Sequence, residues 1–261
     1  MKSILYTLLL ISVATVATAA GKAKVFYKDQ TVETADVTIT IEGAVAVDAY
    51  TKFKIKIKNK TNDILVFKPQ EIVFVIDGKD YTASGEKTKT IAASDEASEV
   101  IDLKGTTFMV NSYSLKIGSV YRAVPTNQVT VPDFKLPASN NDFTAGGFKC
   151  MLKKQTRTTQ VTEVHFDCNY TGGKIGLVDP AKVSLKMPNG REYANMHGQR
   201  HPLLLNKGET DDFTLAWKKI GVRDGDMQFV DMNIEWKEAM SEVSLKKMPE
   251  QVVKMEADTT K

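Results

Sequence analysis

The side chains that most often carry catalysis are scarce in this sequence. Two cysteines and three histidines stand among 261 residues. Cys150 and Cys168 lack Cys-x-x-Cys spacing and have no histidine beside them in sequence, which argues against redox or nucleophilic work. The Gly-x-Ser-x-Gly elbow, the His-Glu-x-x-His helix and the phosphate-cradling glycine loop are all missing. The common hydrolase, metalloprotease and nucleotide-binding signatures therefore drop out. Excess charge of one sign is missing too, since 35 Lys and Arg face 32 Asp and Glu for a net +3. Nucleic acid and anionic lipid are not indicated as partners. Beyond residue 20 no apolar run is long enough for a membrane-spanning helix.

The first twenty residues instead have the pattern of a signal peptide. Lys2 opens it, residues 4–16 are largely apolar, and Ala17, Thr18 and Ala19 are small enough for cleavage. Thr7, Ser12 and Thr15 interrupt the apolar stretch, which is short for a bilayer span. No cysteine follows the cut, so a lipid anchor there is not expected. The expected product is exported, either periplasmic or extracellular, and losing Lys2 takes its charge to +2. The remaining chain is long enough for roughly two domains of about 100–150 residues, each with its own core.

Alternation of apolar and polar residues dominates the chain beyond the leader. Phe53, Ile55 and Ile57 alternate with Lys54, Lys56 and Lys58, the period of a half-buried antiparallel strand. Val37, Ile39 and Ile41 do the same, and a hairpin between the two stretches sets Ile39 opposite Ile57 and Ile41 opposite Ile55. Residues 72–76 are apolar on both faces, as a central strand would be, and Asp77-Gly78 signals a tight hairpin into Tyr81. Further strands are expected near Ile91, at 100–103 and at 113–117. The polar run 94–99 reads as a loop before a strand.

A second half repeats the first. A shift of 111 lays Val37, Ile39 and Ile41 on Phe148, Cys150 and Leu152, and Phe53, Ile55 and Ile57 on Val164, Phe166 and Cys168. Ile72, Phe74 and Ile76 fall on Val183, Leu185 and Met187. Past the turn a shift of 112 sets Tyr81 on Tyr193, Ile91 on Leu203 and Leu103 on Leu215. The closing strand, 230–236, needs a longer shift. The expected organisation is a signal peptide at 1–20, a first β-sandwich at 21–123, a proline-punctuated linker at 124–141, a second sandwich at 142–237 and a tail at 238–261. The tail, with Met240, Met248 and Met255 among Val243, Leu245, Val252 and Val253, suits either a short helix before Pro249 or an added strand. Left exposed, it would be a partner-binding segment.

Short alternating strands, frequent turns and no long helical pattern predict an all-β chain of two tandem antiparallel β-sandwiches. The pattern, with the loop-then-strand of residues 206–215, resembles the immunoglobulin-like domains of exported bacterial proteins. That resemblance implies a fold and no activity.

The register that pairs Ile39 with Ile57 also pairs Cys150 with Cys168, at a separation of about 4.5–5.5 Å that a disulfide can bridge. Export makes the bridge the expected state, the alternative being two buried thiols. Its loop of roughly 19 residues is worth about 3 kcal/mol in the chain-entropy account.

Met196, His197 and His201 form the one cluster with copper- or zinc-type ligands. Gly198 and Pro202 make it a loop, no third strong ligand is evident, and His165 should point outward. A solvated loop is the plainer reading. Asp224 with Asp226, and Asp77 with Asp80, suit turns better than calcium sites. Trp217 and Trp236 have the rings for stacking on sugar, but they end alternating strands where tryptophan usually packs inside. The row Lys54, Lys56, Lys58 and Lys60 suits a docking face or, more simply, a solvated one. Asn59 and Asn169 each open a glycosylation acceptor triplet, one residue out of step between the halves, which marks coincidence. The expectation is a non-enzymatic exported binding or structural module without a cofactor, partnered by an envelope protein or polysaccharide. Periplasmic metal binding and carbohydrate binding are the alternatives.

Overall fold

The computed structural model describes residues 24–83, 87–105, 108–220 and 226–260; the signal peptide expected at 1–20 lies outside them. The described residues are built from antiparallel strands and two single-turn 3-10 helices, Pro69–Glu71 and Pro180–Lys182. In chain order the first half holds β1 (Val25–Phe26), β2 (Gln30–Glu33), β3 (Val37–Val47), β4 (Tyr50–Asn59), β5 (Leu65–Phe67) and β6 (Val73–Ile76). It continues with β7 (Lys79–Thr82), β8 (Lys89–Ile91), β9 (Glu96–Lys104), β10 (Ser112–Ile117) and β11 (Val120–Gln128). The second half holds β12 (Phe134–Leu136), β13 (Asp142–Ala145), β14 (Phe148–Arg157), β15 (Val161–Tyr170), β16 (Ile175–Val178) and β17 (Ser184–Lys186). Then come β18 (Glu192–Ala194), β19 (Leu203–Leu205), β20 (Thr210–Lys218), β21 (Met232–Glu235), β22 (Met240–Lys247) and β23 (Gln251–Glu256). Among the described residues no helix is long and apolar enough to cross a membrane.

Alternation became pairing as expected. Ile39 faces Ile57 and Ile41 faces Ile55 across β3 and β4, with all four side chains buried. β6 is central, flanked by β10 and β7. Asp77 and Gly78 both take positive φ, 50° and 74°, as a two-residue hairpin between right-twisted strands requires. Residues 94–99 are partly strand, because β9 starts at Glu96 and pairs along β4 from there.

Two large apolar clusters fill the space between layers. In the first, sheet β1-β3-β4-β9 packs on sheet β23-β10-β6-β7, with Phe53 against Phe74 at 5.5 Å between ring centroids. In the second, sheet β13-β14-β15-β20 packs on sheet β12-β21-β17-β18, with Trp236 against Phe166 at 5.5 Å. The strand order is the same in each once β2, which also pairs with β3, is taken as the counterpart of β13: Val32 faces Ile39 as Phe143 faces Cys150. Equivalent positions can therefore be read from register. Phe74 pairs with Leu115 and Leu185 with Ile234, so Leu115 corresponds to Ile234, 119 residues on.

The expected shift of 112 holds at Tyr81 and Tyr193 but not beyond. Ile55 pairs with Glu99 and Phe166 with Phe213, so Glu99 corresponds to Phe213, a shift of 114. Ile101 is thus the counterpart of Leu215, and Ile91 of Leu205. Two more residues sit in the loop between β18 and β19 than between β7 and β8, and an even insertion leaves every side chain on its proper face.

A fifth sheet joins the halves. Its order is β19-β16-β22-β11-β5-β8, with β11 and β22 antiparallel at its centre. Val66 pairs with Tyr121 and Leu177 with Ser241, so β22 is the counterpart of β11, 120 residues on. Val124 pairs with Ser244 and Ala123 with Leu245, while Pro125 pairs with Val243. A local two-fold axis consequently passes between Val124 and Ser244.

Both central strands continue into the opposite half. β11 leads to β12, whose Phe134 and Leu136 enter the second core. β22 leads to β23, whose Val253 and Met255 enter the first. Residues 124–141, read from sequence as a linker, contain the far part of β11 and all of β12. Residues 238–261 contain β22 and β23, the added-strand form of the tail. The halves have reciprocally exchanged their last strands. Residues 26–28 and 256–258 meet as a result: Lys28 N–H donates to Glu256 O at 3.0 Å and Asp258 N–H to Phe26 O at 2.7 Å.

Candidate functional site

The six-stranded sheet curls. β8 and β19 are its opposite edges, yet Thr90 Oγ1 donates to the Pro202 carbonyl, just before β19, at 2.5 Å. Beside that contact His201 Nδ1 lies 3.4 Å from Asp95 Oδ2. The face of the sheet turned away from the two large cores carries a small apolar cluster around Val66, Ala123, Leu177 and Val243. Where this cluster meets the seam, a groove of about 1340 Å³ runs between the halves.

Alternation along the strands builds the groove. Val66 lies between Leu65 and Phe67, which belong to the first core, so its side chain must point the other way. Ile175, Leu204 and Leu245, each half-buried, extend this apolar floor. Lysines 68, 87 and 89 stand on the first-half rim, and Glu209 and Asp211 on the second-half rim. Several of these charges are already held. Lys68 lies 3.5 Å from Glu71 and 4.6 Å from the centroid of the Tyr121 ring, while Tyr121 Oη donates to Glu71 at 2.5 Å. That hydrogen bond, with burial, pushes the Tyr121 hydroxyl up to about 12. Glu209 Oε2 accepts from Asn206 N–H at 2.8 Å and fixes the bend into β20.

The two halves differ in kind at this edge. The second half closes its sandwich with Leu203 and Phe213, and Phe213 stacks on Phe166 at 5.7 Å. The corresponding first-half positions are Lys89 and Glu99, joined as an ion pair. Glu99 registers against Ile55, an inward position, so the pair replaces core with charge and opens the sandwich edge onto the groove. Inward charge on an edge also discourages pairing with a stray strand. No local pattern in the sequence marks this site. Its signal was a glutamate at an inward phase of β9, visible only once the 114-residue shift is known.

The residues singled out from sequence are dispersed over the molecule. Cys150 and Cys168 form the disulfide across β14 and β15, fully buried, with Leu152 opposite Phe166 in the same ladder. Met196 and His197 are exposed on the loop after β18. The backbone of that loop covers the open edge of β20: His197 N–H donates to Ala216 O at 3.3 Å and Gln199 N–H to Thr214 O at 2.7 Å. Asn195 pins it, accepting from Gly198 N–H and Ala216 N–H through Oδ1. Gly198 permits the close approach, since a Cβ there would lie 2.4 Å from Thr214 O. His201, four residues on, is turned to Asp95 at the groove seam. Among the described residues no three His, Cys, Asp or Glu side chains converge as a metal-binding group.

His165 sits on the outer face of β15, its Nδ1 3.0 Å from Thr214 Oγ1. Trp217 and Trp236 are each 1% exposed, so neither offers a ring face to a sugar. Asn59 is buried and donates to three backbone carbonyls, while the Asn169 amide is tied to the turn at 208–210. Of the lysine row, Lys56 is bound to Glu42 at 2.7 Å. Asp224 lies outside the described residues, and Asp80 is paired with Lys116. Neither a protein-family model nor a curated protein matches this sequence.

Proposed function

We propose that the chain is a non-enzymatic, exported binding module of the cell envelope, built from two immunoglobulin-like sandwiches, and that it binds its partner in the inter-half groove. One observation carries the reading: the halves share a sheet whose free face forms an open groove with an apolar floor and rims of both charge signs. Concave sites that join apolar surface to a few placed polar groups are where ligands concentrate. A partner suited to this lining must carry apolar and ionic groups together, which favours a protein segment over a polysaccharide. The inward tryptophans supply no stacking platform for sugar. Export is supported by the leader and by the disulfide.

Capture from the cell envelope on immobilised chain tests this. The wild-type chain should retain a protein, and Leu204→Asp with Leu245→Asp should lose it at unchanged circular dichroism. Lys56→Glu, on another face, should keep it. Equal capture by the floor variant, recovery of polysaccharide instead, or repeatable turnover of a substrate would each remove the proposal.

A further inference from the structure

The first half is completed by the strand that arrives last. β23 pairs with β10 in unbroken register from Ser112↔Glu256 to Ile117↔Gln251 and gives Val253 and Met255 to the core. Only Met248, Pro249 and Glu250 connect it to β22. Proline holds its own φ near −65° and biases the preceding residue toward extended backbone, so this connection prefers to run straight. Beneath it lies a cavity of about 240 Å³, bordered by Ala35, Val37, Ile117, Met248 and Pro249. The connection thus borders a void, held on one side by Met248, which packs against the first core and donates its N–H to Val120 O at 2.9 Å. Every contact between β23 and β10 would be reproduced on a second copy of the chain, the condition under which strand exchange is cheap. Within one chain the molecule already makes this exchange, through β12 and β23.

We infer that β23 also exchanges between molecules, so that two copies form a dimer in which each lends residues 251–256 to the other's β10. Met248–Glu250 straighten in that form, and β22 runs on into β23. Since the strand contacts are common to monomer and dimer, protein concentration and the connection itself set the balance.

Ser114 faces Lys254 across the β10–β23 pair, within disulfide reach at about 4.5–5.5 Å. A Ser114→Cys chain and a Lys254→Cys chain are mixed, unfolded in urea without reductant, refolded together from dilute to concentrated protein and mildly oxidised. The mixed disulfide-linked dimer should rise with concentration and exceed several-fold that from a Lys58→Cys plus Lys254→Cys pair, Lys58 being exposed on β4. Pro249→Gly in both chains should lower the mixed dimer several-fold. The inference is overturned if the Ser114→Cys pair never exceeds the mismatched pair while the double variant, Ser114→Cys with Lys254→Cys, closes its bridge within single chains. It is equally overturned if Pro249→Gly leaves the mixed dimer unchanged, since the connection would then not govern exchange.

Discussion

Val124 faces Ser244 across the β11–β22 pair, and each is the repeat counterpart of the other. A two-fold relation between the halves passes through this one position. The curled sheet, its groove and the exchanged end strands all stem from it, because each central strand must leave the dyad into the opposite half.

The exchanged strand should matter for stability. Met255 is fully buried in the first core, which β23 reaches from the opposite half. Met255→Ala is expected to cost about 2–5 kcal/mol by leaving a cavity. Urea unfolding followed through far-ultraviolet circular dichroism measures it; a change below a few tenths of a kcal/mol would show that β23 is not docked as described.

Reduction of the disulfide should weaken the second half. The bridge spans 18 residues of sequence, for which loop-closure entropy gives about 3 kcal/mol. Cys150→Ala with Cys168→Ala should lower the urea midpoint of the transition that reports on the second core, which holds both tryptophans. Tryptophan fluorescence makes the comparison.

Gly198→Ala should lift the Met196–His197 loop from β20. The new Cβ meets the backbone of Thr214 and Ala216, which cannot swing aside as a flexible side chain would. A loss of about 1–3 kcal/mol is expected for such overpacking. Hydrogen exchange at the Ala216 amide, which donates to Asn195 Oδ1, should accelerate with it.

At the groove, alkaline pH should act through Tyr121. Its hydroxyl is held up to about 12 in the fold, against an ordinary 10, chiefly by donating to Glu71. The folded state therefore keeps a proton that the unfolded chain releases. The associated stability is fully present below pH 10 and disappears as pH rises through about 12. Tyr121→Phe should flatten that part of the stability profile, as chemical denaturation at each pH will read.

Much of the fold was legible in the sequence because antiparallel strands write their burial at a period of two. The hairpin registers at Ile39–Ile57 and Cys150–Cys168 could be read that way, and both are observed. The same period hid the slip at β8 and β9. A one-residue error would have turned Ile101 outward, whereas a two-residue error left the pattern intact. Prolines 125, 132 and 137 suggested a linker because proline donates nothing to a ladder. Yet Pro125 is tolerated inside β11, where the register shifts just after it. The groove was beyond reach from sequence for a different reason. It arises where Thr90 meets Pro202, a contact between residues 112 apart that no local pattern encodes.

The pairing of residues 26–28 with 256–258 carries a mechanical consequence. Residues 26–28 run antiparallel beside residues 256–258, so the backbone enters this pair before Phe26 and leaves it after Asp258 on the same side. A load pulling them apart would meet those bonds in succession and peel them, rather than strain them all at once.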